Sequence, residues 1–147
     1  MNARRRNGLL AGLAAMAVFG WLAVTDAQTP AAPWPTPDAD ASPSGVVKAT
    51  VLYGRTVFSE TPRIIGPEVR NRSMRYAGNN LSCQSCHLQG GTQRFGMPMV
   101  GVYALFPVFI GRENEVRTIE DRIQGCMERS MNGRALPADG KEMKALV

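Results

Sequence analysis

The feature that most constrains this chain is the pentapeptide Cys83-Gln84-Ser85-Cys86-His87, a C-x-x-C-H motif. Two cysteines three residues apart on one helical turn project to the same side, so each can form a thioether to one of the two vinyl groups of a haem. His87 follows directly and is the only histidine in the 147 residues, so it is the imidazole available to ligate the iron. The motif therefore predicts one covalently attached haem c.

Two other uses of paired cysteines agree less well with the rest of the sequence. A thioredoxin-like redox pair is expected after a strand in a βαβ unit, and no such pattern precedes Cys83. A structural zinc site needs four ligands, usually in two spaced pairs, and only Cys126 remains to complete one. Haem attachment is the interpretation that fits the surrounding pattern.

Residues 1–27 have the order of a secretory signal peptide. A short segment with three arginines precedes the apolar run 9–24, and Ala27 ends a small-residue cleavage pattern. Because the run is shorter than the roughly 20 residues that span a bilayer, we expect cleavage, a periplasmic location and no stable membrane insertion. An uncleaved segment would instead anchor the protein in the membrane.

Charge and its distribution give no indication of nucleic acid as a partner. Cleavage removes three arginines and one aspartate, which lowers the formal charge from +5 to +3. The sequence contains no lysine-rich tract with interleaved aromatic residues, which is the pattern that would predict nucleic-acid binding. A mildly basic surface is more consistent with an acidic partner or a small anionic substrate.

The remaining sequence divides into a linker and one folded domain. Residues 28–45 contain five prolines and predict an extended, semi-rigid tether. Residues 46–147 predict a small domain without alternating strands, so the expected fold class is all-α. A domain of this size has a modest core, and a haem at its centre would act as a covalent staple.

Three helices can be placed within this domain. Apolar spacing predicts a first helix after Val46 that Pro62 ends. Residues 61–80 are then expected to form a loop that includes at most a short turn of helix. Thr118 and Asp121 predict a capping box at the start of a helix extending to Met131. Asp139 is predicted to cap a last helix, and its apolar pattern is unfinished at the end of the chain. We therefore expect either a fragment or an unusually short final helix.

The sixth iron ligand is left open by helix geometry alone. Arg122, Cys126 and Ser130 are four residues apart and share one face of the predicted helix. A Cys126 thiolate there could bind iron, but a buried structural cysteine is an equally good interpretation. The downstream methionines are the other candidates, and by frequency methionine would lead: these are Met97, Met99, Met127, Met131 and Met143.

The motif segments resemble a known family. The stretch 81–92, LSCQSCHLQGGT, and the stretch 117–133, RTIEDRIQGCMERSMNG, are similar to the N-terminal haem domain of thiosulfate dehydrogenase, a di-haem cytochrome c. The likeness extends from about Gly54 to the end of the chain. It implies a class I cytochrome c fold and the oxidative coupling of two thiosulfates to tetrathionate.

The resemblance also assigns roles to residues. It implies His87 and Cys126 as the axial ligands, and it implies Arg112, Arg122 and Ser130 as the substrate pocket. Guanidinium groups suit this pocket because they hold dianionic oxyanions by paired hydrogen bonds. The family also carries a second C-terminal haem domain that accepts the electrons, whereas this sequence contains one C-x-x-C-H motif.

Three functions therefore remain distinguishable. The first is a thiosulfate dehydrogenase-like catalytic domain that works with a second haem domain or a separate cytochrome. The second is a mono-haem electron carrier without substrate chemistry. The third is a structural or sensory haem domain held by its proline-rich linker. The residues that separate the first two are Cys126 and its neighbouring arginines, because an electron carrier has no need of an anion pocket.

Overall fold

The computed structural model describes residues 34–35 and 38–147. The predicted signal peptide, and residues 28–33 and 36–37 of the predicted linker, lie outside the described residues. Two terminal helices frame the domain: α1, Val46–Ser59, and the last helix, Lys141–Leu146, which pack against each other. Gly54 of α1 is buried at this contact, facing the backbone of Ala145.

The end of the predicted linker is not fully extended. It contains a short 3₁₀ turn, Ala39–Ala41, which Asp38 caps by accepting a hydrogen bond from the backbone N–H of Asp40. The carboxylate of Asp40 lies 3.3 Å from the guanidinium of Arg55 in α1. This exposed ion pair places the turn beside the first helix.

The first helix ends as the sequence predicts, but the segment after it is more helical than expected. A second helix, α2, Thr61–Ile65, begins directly after α1, with Pro62 in its first turn, where a missing backbone N–H costs nothing. A 3₁₀ turn, Arg72–Met74, follows. Pro62 therefore marks a helix start, and the short helix predicted within the loop 61–80 lies at its beginning.

The middle of the chain corrects the expectation of a strand-free fold. After the 3₁₀ turn Val102–Leu105, the strands β1, Val108–Ile110, and β2, Glu115–Arg117, pair antiparallel with Phe109 opposite Val116. The domain remains mostly helical, as predicted, because this hairpin is small.

The helix that carries Cys126 has the predicted start and an altered end. It is α3, Ile119–Gly125, and the capping box between Thr118 and Asp121 is present as predicted. From Cys126 to Ser130 the backbone widens into a π-helical turn. The last helix, α4, begins after Gly140 without a side-chain cap, so the prediction of an Asp139 cap is wrong.

The buried core lies between the terminal helices, α2 and the π-turn. Its side chains are those of Val57, Ile65, Tyr76, Ala77, Met127, Met131, Leu136 and Met143. Met127 and Met131 come from the π-turn and the residue after it, so the segment that contains Cys126 is anchored in the core. This anchoring fixes where Cys126 points.

Candidate haem and substrate site

The C-x-x-C-H motif forms a short, capped turn at the edge of a cavity. Cys83–Ser85 is a 3₁₀ turn, and the hydroxyls of Ser82 and Ser85 lie 3.2 Å apart across its start. Cys83, Cys86 and His87 all line the cavity, which has a volume of about 230 Å³. None of the cysteines among the described residues forms a disulfide. Both thiols therefore face the space that a haem would need.

Cys83 is held in a position that suits a neutral sulfur. Its backbone N–H donates to the hydroxyl of the fully buried Thr61 at 3.2 Å, and its Sγ lies 3.6 Å from the same oxygen. Burial raises the pKa of the Cys83 thiol, against a smaller opposing effect of the Thr61 hydrogen bond. A thioether carries no charge, so this environment fits haem attachment better than a thiolate role in zinc or redox chemistry.

His87 is oriented by the backbone of a following loop. Its Nδ1 lies 2.7 Å from the carbonyl oxygen of Met97, so the ring donates from Nδ1 and presents the lone pair of Nε2. The ring centroid of Phe58 lies 6.1 Å away at a tilt of 44°. This orienting hydrogen bond is the usual partner of a metal-bound imidazole.

The cavity wall opposite the motif is formed by α3 and the π-turn. Arg122, Cys126 and Ser130 all line it, as their shared helix face predicts. Nη1 of Arg122 donates to Sγ of Cys126 at 3.1 Å. The backbone carbonyl of Ser130 accepts a hydrogen bond from Asn79 at 3.0 Å. The three residues that the resemblance selects on this helix are therefore brought together with His87 around one cavity.

Arg112 lies elsewhere. It is at the tip of the β-hairpin, exposed, with Nε 3.5 Å from the carboxylate of Glu113, and it does not line the cavity. Glu113 also accepts hydrogen bonds from Arg129 at 2.8 Å and Arg117 at 3.0 Å. The pKa of Glu113 is lowered, chiefly by the Arg129 hydrogen bond. This cluster ties the hairpin to the π-turn and keeps Arg112 at its edge.

The methionine candidates for the sixth ligand also divide into those that line the cavity and one that does not. Met97, Met99, Met127 and Met131 line the cavity, and Met143 does not. Proximity to the cavity therefore leaves several sulfur ligands available beside Cys126. Cys126 differs from them because its Sγ accepts a hydrogen bond from a guanidinium group.

Apart from Ser82, the remaining cavity lining is apolar, and it includes residues that the sequence did not single out. Phe58 of α1 is one of them, and no motif in the sequence marks it as part of the site. The Met97 carbonyl belongs to the backbone, so no side-chain pattern could reveal it. The other apolar lining residues are Pro98, Val102, Phe106, Ile119, Ile123 and Leu146.

The described part of the chain contains neither a cluster suited to a bare metal ion nor a membrane-spanning helix. Among residues 34–35 and 38–147, no group of three or more His, Cys, Asp or Glu side chains is arranged to hold a bare metal ion. Over the same residues, no helix has both the length and the apolar character to cross a membrane. The largely apolar lining of the cavity suits an apolar ring system held at its edge by two cysteines and one histidine.

The fold and the site together define a cytochrome c domain, a class that carries covalent haem c and transfers electrons. Comparison with known proteins specifies the class further. The family model for the SoxA/TsdA cytochrome c domain matches residues 73–147, just over half of the chain. The chain belongs to this family.

Curated relatives and a solved structure agree with that assignment. The chain is 36% identical over 107 residues to thiosulfate dehydrogenase of Allochromatium vinosum, covering 70% of this chain and 37% of the relative. It is 33% identical over 110 residues to thiosulfate dehydrogenase of Thiomonas intermedia, covering 75% and 32%. A solved thiosulfate dehydrogenase (TsdBA) from Marichromatium purpuratum superposes with a TM-score of 0.67 at 30% identity, covering 79% of this chain and 25% of that chain. The chain spans about a third of the length of the curated relatives.

Proposed function

We propose that this domain binds one haem c and oxidises thiosulfate to tetrathionate. Cys83 and Cys86 hold the haem as thioethers, and His87 and Cys126 would bind its iron. When bound, the haem accepts electrons one at a time. The observation that carries the proposal is the 3.1 Å hydrogen bond from Arg122 to Cys126 on the wall of the same cavity that His87 lines.

The reaction balances without protons. Two thiosulfate dianions form one sulfur–sulfur bond between their sulfane sulfurs, give one tetrathionate dianion and release two electrons. Each electron passes to a one-electron acceptor, so two equivalents of oxidised acceptor are reduced in each turnover. The acceptor is a second haem domain or a separate cytochrome.

The residues on the α3 side of the cavity bind the substrate and do not themselves accept electrons. Arg122 has further donors beyond the one directed at Cys126, and guanidinium groups pair well with sulfo-oxyanions. The Ser130 hydroxyl lies on the same cavity wall and can donate to a bound oxyanion. Arg112 would reach a substrate only if the hairpin tip moved, since Glu113 now holds it outside the cavity. We therefore assign Arg122 and Ser130 to the pocket and Arg112 to its approach.

A plain electron carrier is the second candidate. It is favoured by the several methionines on the cavity wall, any one of which could ligate iron as in ordinary mono-haem cytochromes. In that case Cys126 is a packed structural thiol.

Export also belongs to the proposal. We expect the mature protein to begin near Gln28 and to lie in the periplasm, and N-terminal sequencing of the fractionated protein tests this.

Substitution of the sulfur ligand separates the two functions. In the holo-protein, Cys126→Ala should remove the thiolate-type near-infrared band of the ferric haem and abolish thiosulfate oxidation with ferricyanide as acceptor. Cys126→Met should raise the reduction potential, because methionine donates less charge than thiolate. Met131→Leu is the matched control and should change neither spectrum nor activity. If Cys126→Ala leaves the spectrum unchanged and Met131→Leu alters it, the carrier function is correct.

A further inference from the structure

Four arginines form an unpaired basic surface on one side of the domain. Within the described part of the chain, Arg70, Arg72, Arg75 and Arg134 have no carboxylate at ion-pair distance, and all four are exposed. Over the same residues, most other arginines do have a carboxylate partner: these are Arg55, Arg63, Arg112, Arg117 and Arg129. We call the four unpaired residues the arginine face.

Hydrogen bonds hold Arg134 against the loop that carries Arg70, Arg72 and Arg75, although Arg134 is distant from them in sequence. Arg134 donates from Nη2 to the carbonyl of Ser73 at 2.6 Å and from Nε to the carbonyl of Arg75 at 3.2 Å. Arg75 in turn donates from Nη2 to the carbonyl of Val69 at 3.3 Å. The guanidinium of Arg134 also lies over the ring of Tyr76, 4.2 Å from its centroid. The guanidiniums of Arg75 and Arg134 are positioned by neutral groups, so their charges are not cancelled.

Part of the arginine face borders an open depression. The depression, of about 360 Å³, lies between segments 75–78 and 132–134, with Arg75 and Arg134 on its lining. The single carboxylate between residues 66 and 80 is that of Glu68, so the loop and Arg134 together carry a formal charge of +3. A protruding acidic side chain of a partner would meet two guanidinium groups here.

The depression lies directly behind the wall of the haem cavity. Gly78 N–H donates to the carbonyl of Met131 at 2.9 Å, and Arg134 N–H donates to the carbonyl of Tyr76 at 2.8 Å. The two segments are in backbone contact, because an added Cβ at Gly78 or Gly133 would overlap main-chain atoms of the opposite segment. Met131 lines the cavity on the other side. Few atoms therefore separate the arginine face from the cavity.

We propose that the arginine face docks the acidic surface of a one-electron redox protein, which takes up the electrons that leave the haem cavity. This inference rests on the electron-releasing direction of the proposed function. Each docking event passes one electron, so the oxidised partner becomes reduced while the domain is reoxidised. Charge complementarity would steer encounter and raise the association rate by roughly 10–1,000-fold at low salt.

The test follows electron transfer from holo-protein that has been reduced with dithionite, so thiosulfate chemistry is not required. The probe is oxidised plastocyanin, an acidic one-electron copper protein, mixed in a stopped-flow instrument. The test variant is Arg70→Gln with Arg72→Gln, because neither side chain makes a hydrogen bond or ion pair in the described structure. The matched control is Arg55→Gln with Lys144→Gln, which changes net charge equally on the terminal helices.

The proposal predicts a specific pattern of rates. In the Arg70/Arg72 variant, the second-order rate constant at low salt should fall roughly fivefold or more, and the control should stay near wild type. The difference should vanish near 0.5 M salt, where the Debye length is only about 4 Å. With basic mitochondrial cytochrome c as probe, the same variant should react faster than wild type.

Three results would overturn it. An unchanged rate in the Arg70/Arg72 variant would show that the arginine face does not dock the redox partner. An equal fall in the control would show that net charge, rather than this face, determines the rate. Loss of binding to anionic lipid vesicles, with the plastocyanin rate unchanged, would assign the face to a membrane surface. If thiosulfate oxidation itself fails in wild-type protein while these rates follow the prediction, the docking surface stands and the substrate assignment falls.

Discussion

Replacement of Gly54 by alanine sets two physical effects against each other. Alanine is a better helix former than glycine by roughly 1 kcal/mol, so local propensity alone predicts a more stable α1. However, an added Cβ at Gly54 would lie 2.8 Å from the carbonyl carbon of Ala145 in α4, and closer still to its oxygen. The opposing atoms belong to the backbone, so no rotamer change relieves the overlap.

The terminal helices would have to separate by roughly 1 Å to restore an ordinary contact, and a gap of that size forfeits a quarter to a half of each van der Waals contact across it. Val57 and Met143, 0% and 1% exposed, lie at this packed end of the core. Overpacking of this kind costs about 1–3 kcal/mol. Because the obstruction is backbone, we take the upper end, and after subtracting the propensity gain we expect Gly54→Ala to destabilise the domain by about 2 kcal/mol.

That loss corresponds to a fall in Tm of roughly 8–16 °C for a domain of about 100 residues. Thermal unfolding of the holo-protein followed by far-UV circular dichroism measures it. The control is Gly111→Ala in the hairpin tip, where an added Cβ meets nothing within 4 Å and φ is not positive. This control should leave Tm unchanged within a few degrees. A Gly54→Ala protein as stable as wild type would refute the close crossing of the terminal helices.

Three further predictions follow from individual contacts. The Tyr53 hydroxyl donates to Glu142 at 2.7 Å, and burial, followed by this hydrogen bond, raises the Tyr53 pKa from 10.0 to about 12. The folded state therefore favours the neutral phenol, so its contribution to stability is complete below pH 10 and is lost as the pH rises to about 12. Alkaline unfolding of Tyr53→Phe should lack this loss of stability. Arg122→Gln should lower kcat/KM for thiosulfate by roughly 10–100-fold without changing Tm, since a charge-assisted hydrogen bond is worth about 1.5–3 kcal/mol; unchanged kinetics would contradict its role. Thr61→Val should cost about 1–3 kcal/mol in urea unfolding, because the fully buried hydroxyl serves the Cys83 N–H, whereas Thr61→Ser should retain most of that stability.

Local features of the fold were predictable because short-range chemistry determines them. The capping box at Thr118 and Asp121 involves residues three apart, so the sequence contains both partners. The first helix follows from apolar spacing over fourteen residues. The coming together of Arg122, Cys126 and Ser130 also follows from helical spacing, and the widening of the π-turn does not remove it.

Features set by contacts between distant segments were not predictable in this way. Each hairpin strand has only three residues, too few for alternation to be visible. The position of Arg112 depends on that hairpin and on the pairing of Glu113 with Arg129, sixteen residues away. The helix α4 begins after Gly140, one residue later than a cap at Asp139 would place it. A residue type suited to capping was therefore not sufficient to fix the start of this helix.

The hydrogen bond from His87 to the Met97 carbonyl has a consequence for how this loop can vary among related sequences. The acceptor is a main-chain oxygen, so exchanging the Met97 side chain leaves it in place. Its position depends instead on the number of residues between the two and on the positive φ values at Phe95 and Met97. We therefore expect the segment 88–97 to tolerate substitution and to resist insertion or deletion. A change in its length would withdraw electron density from the imidazole and shift the reduction potential, although no residue touching the iron had been altered.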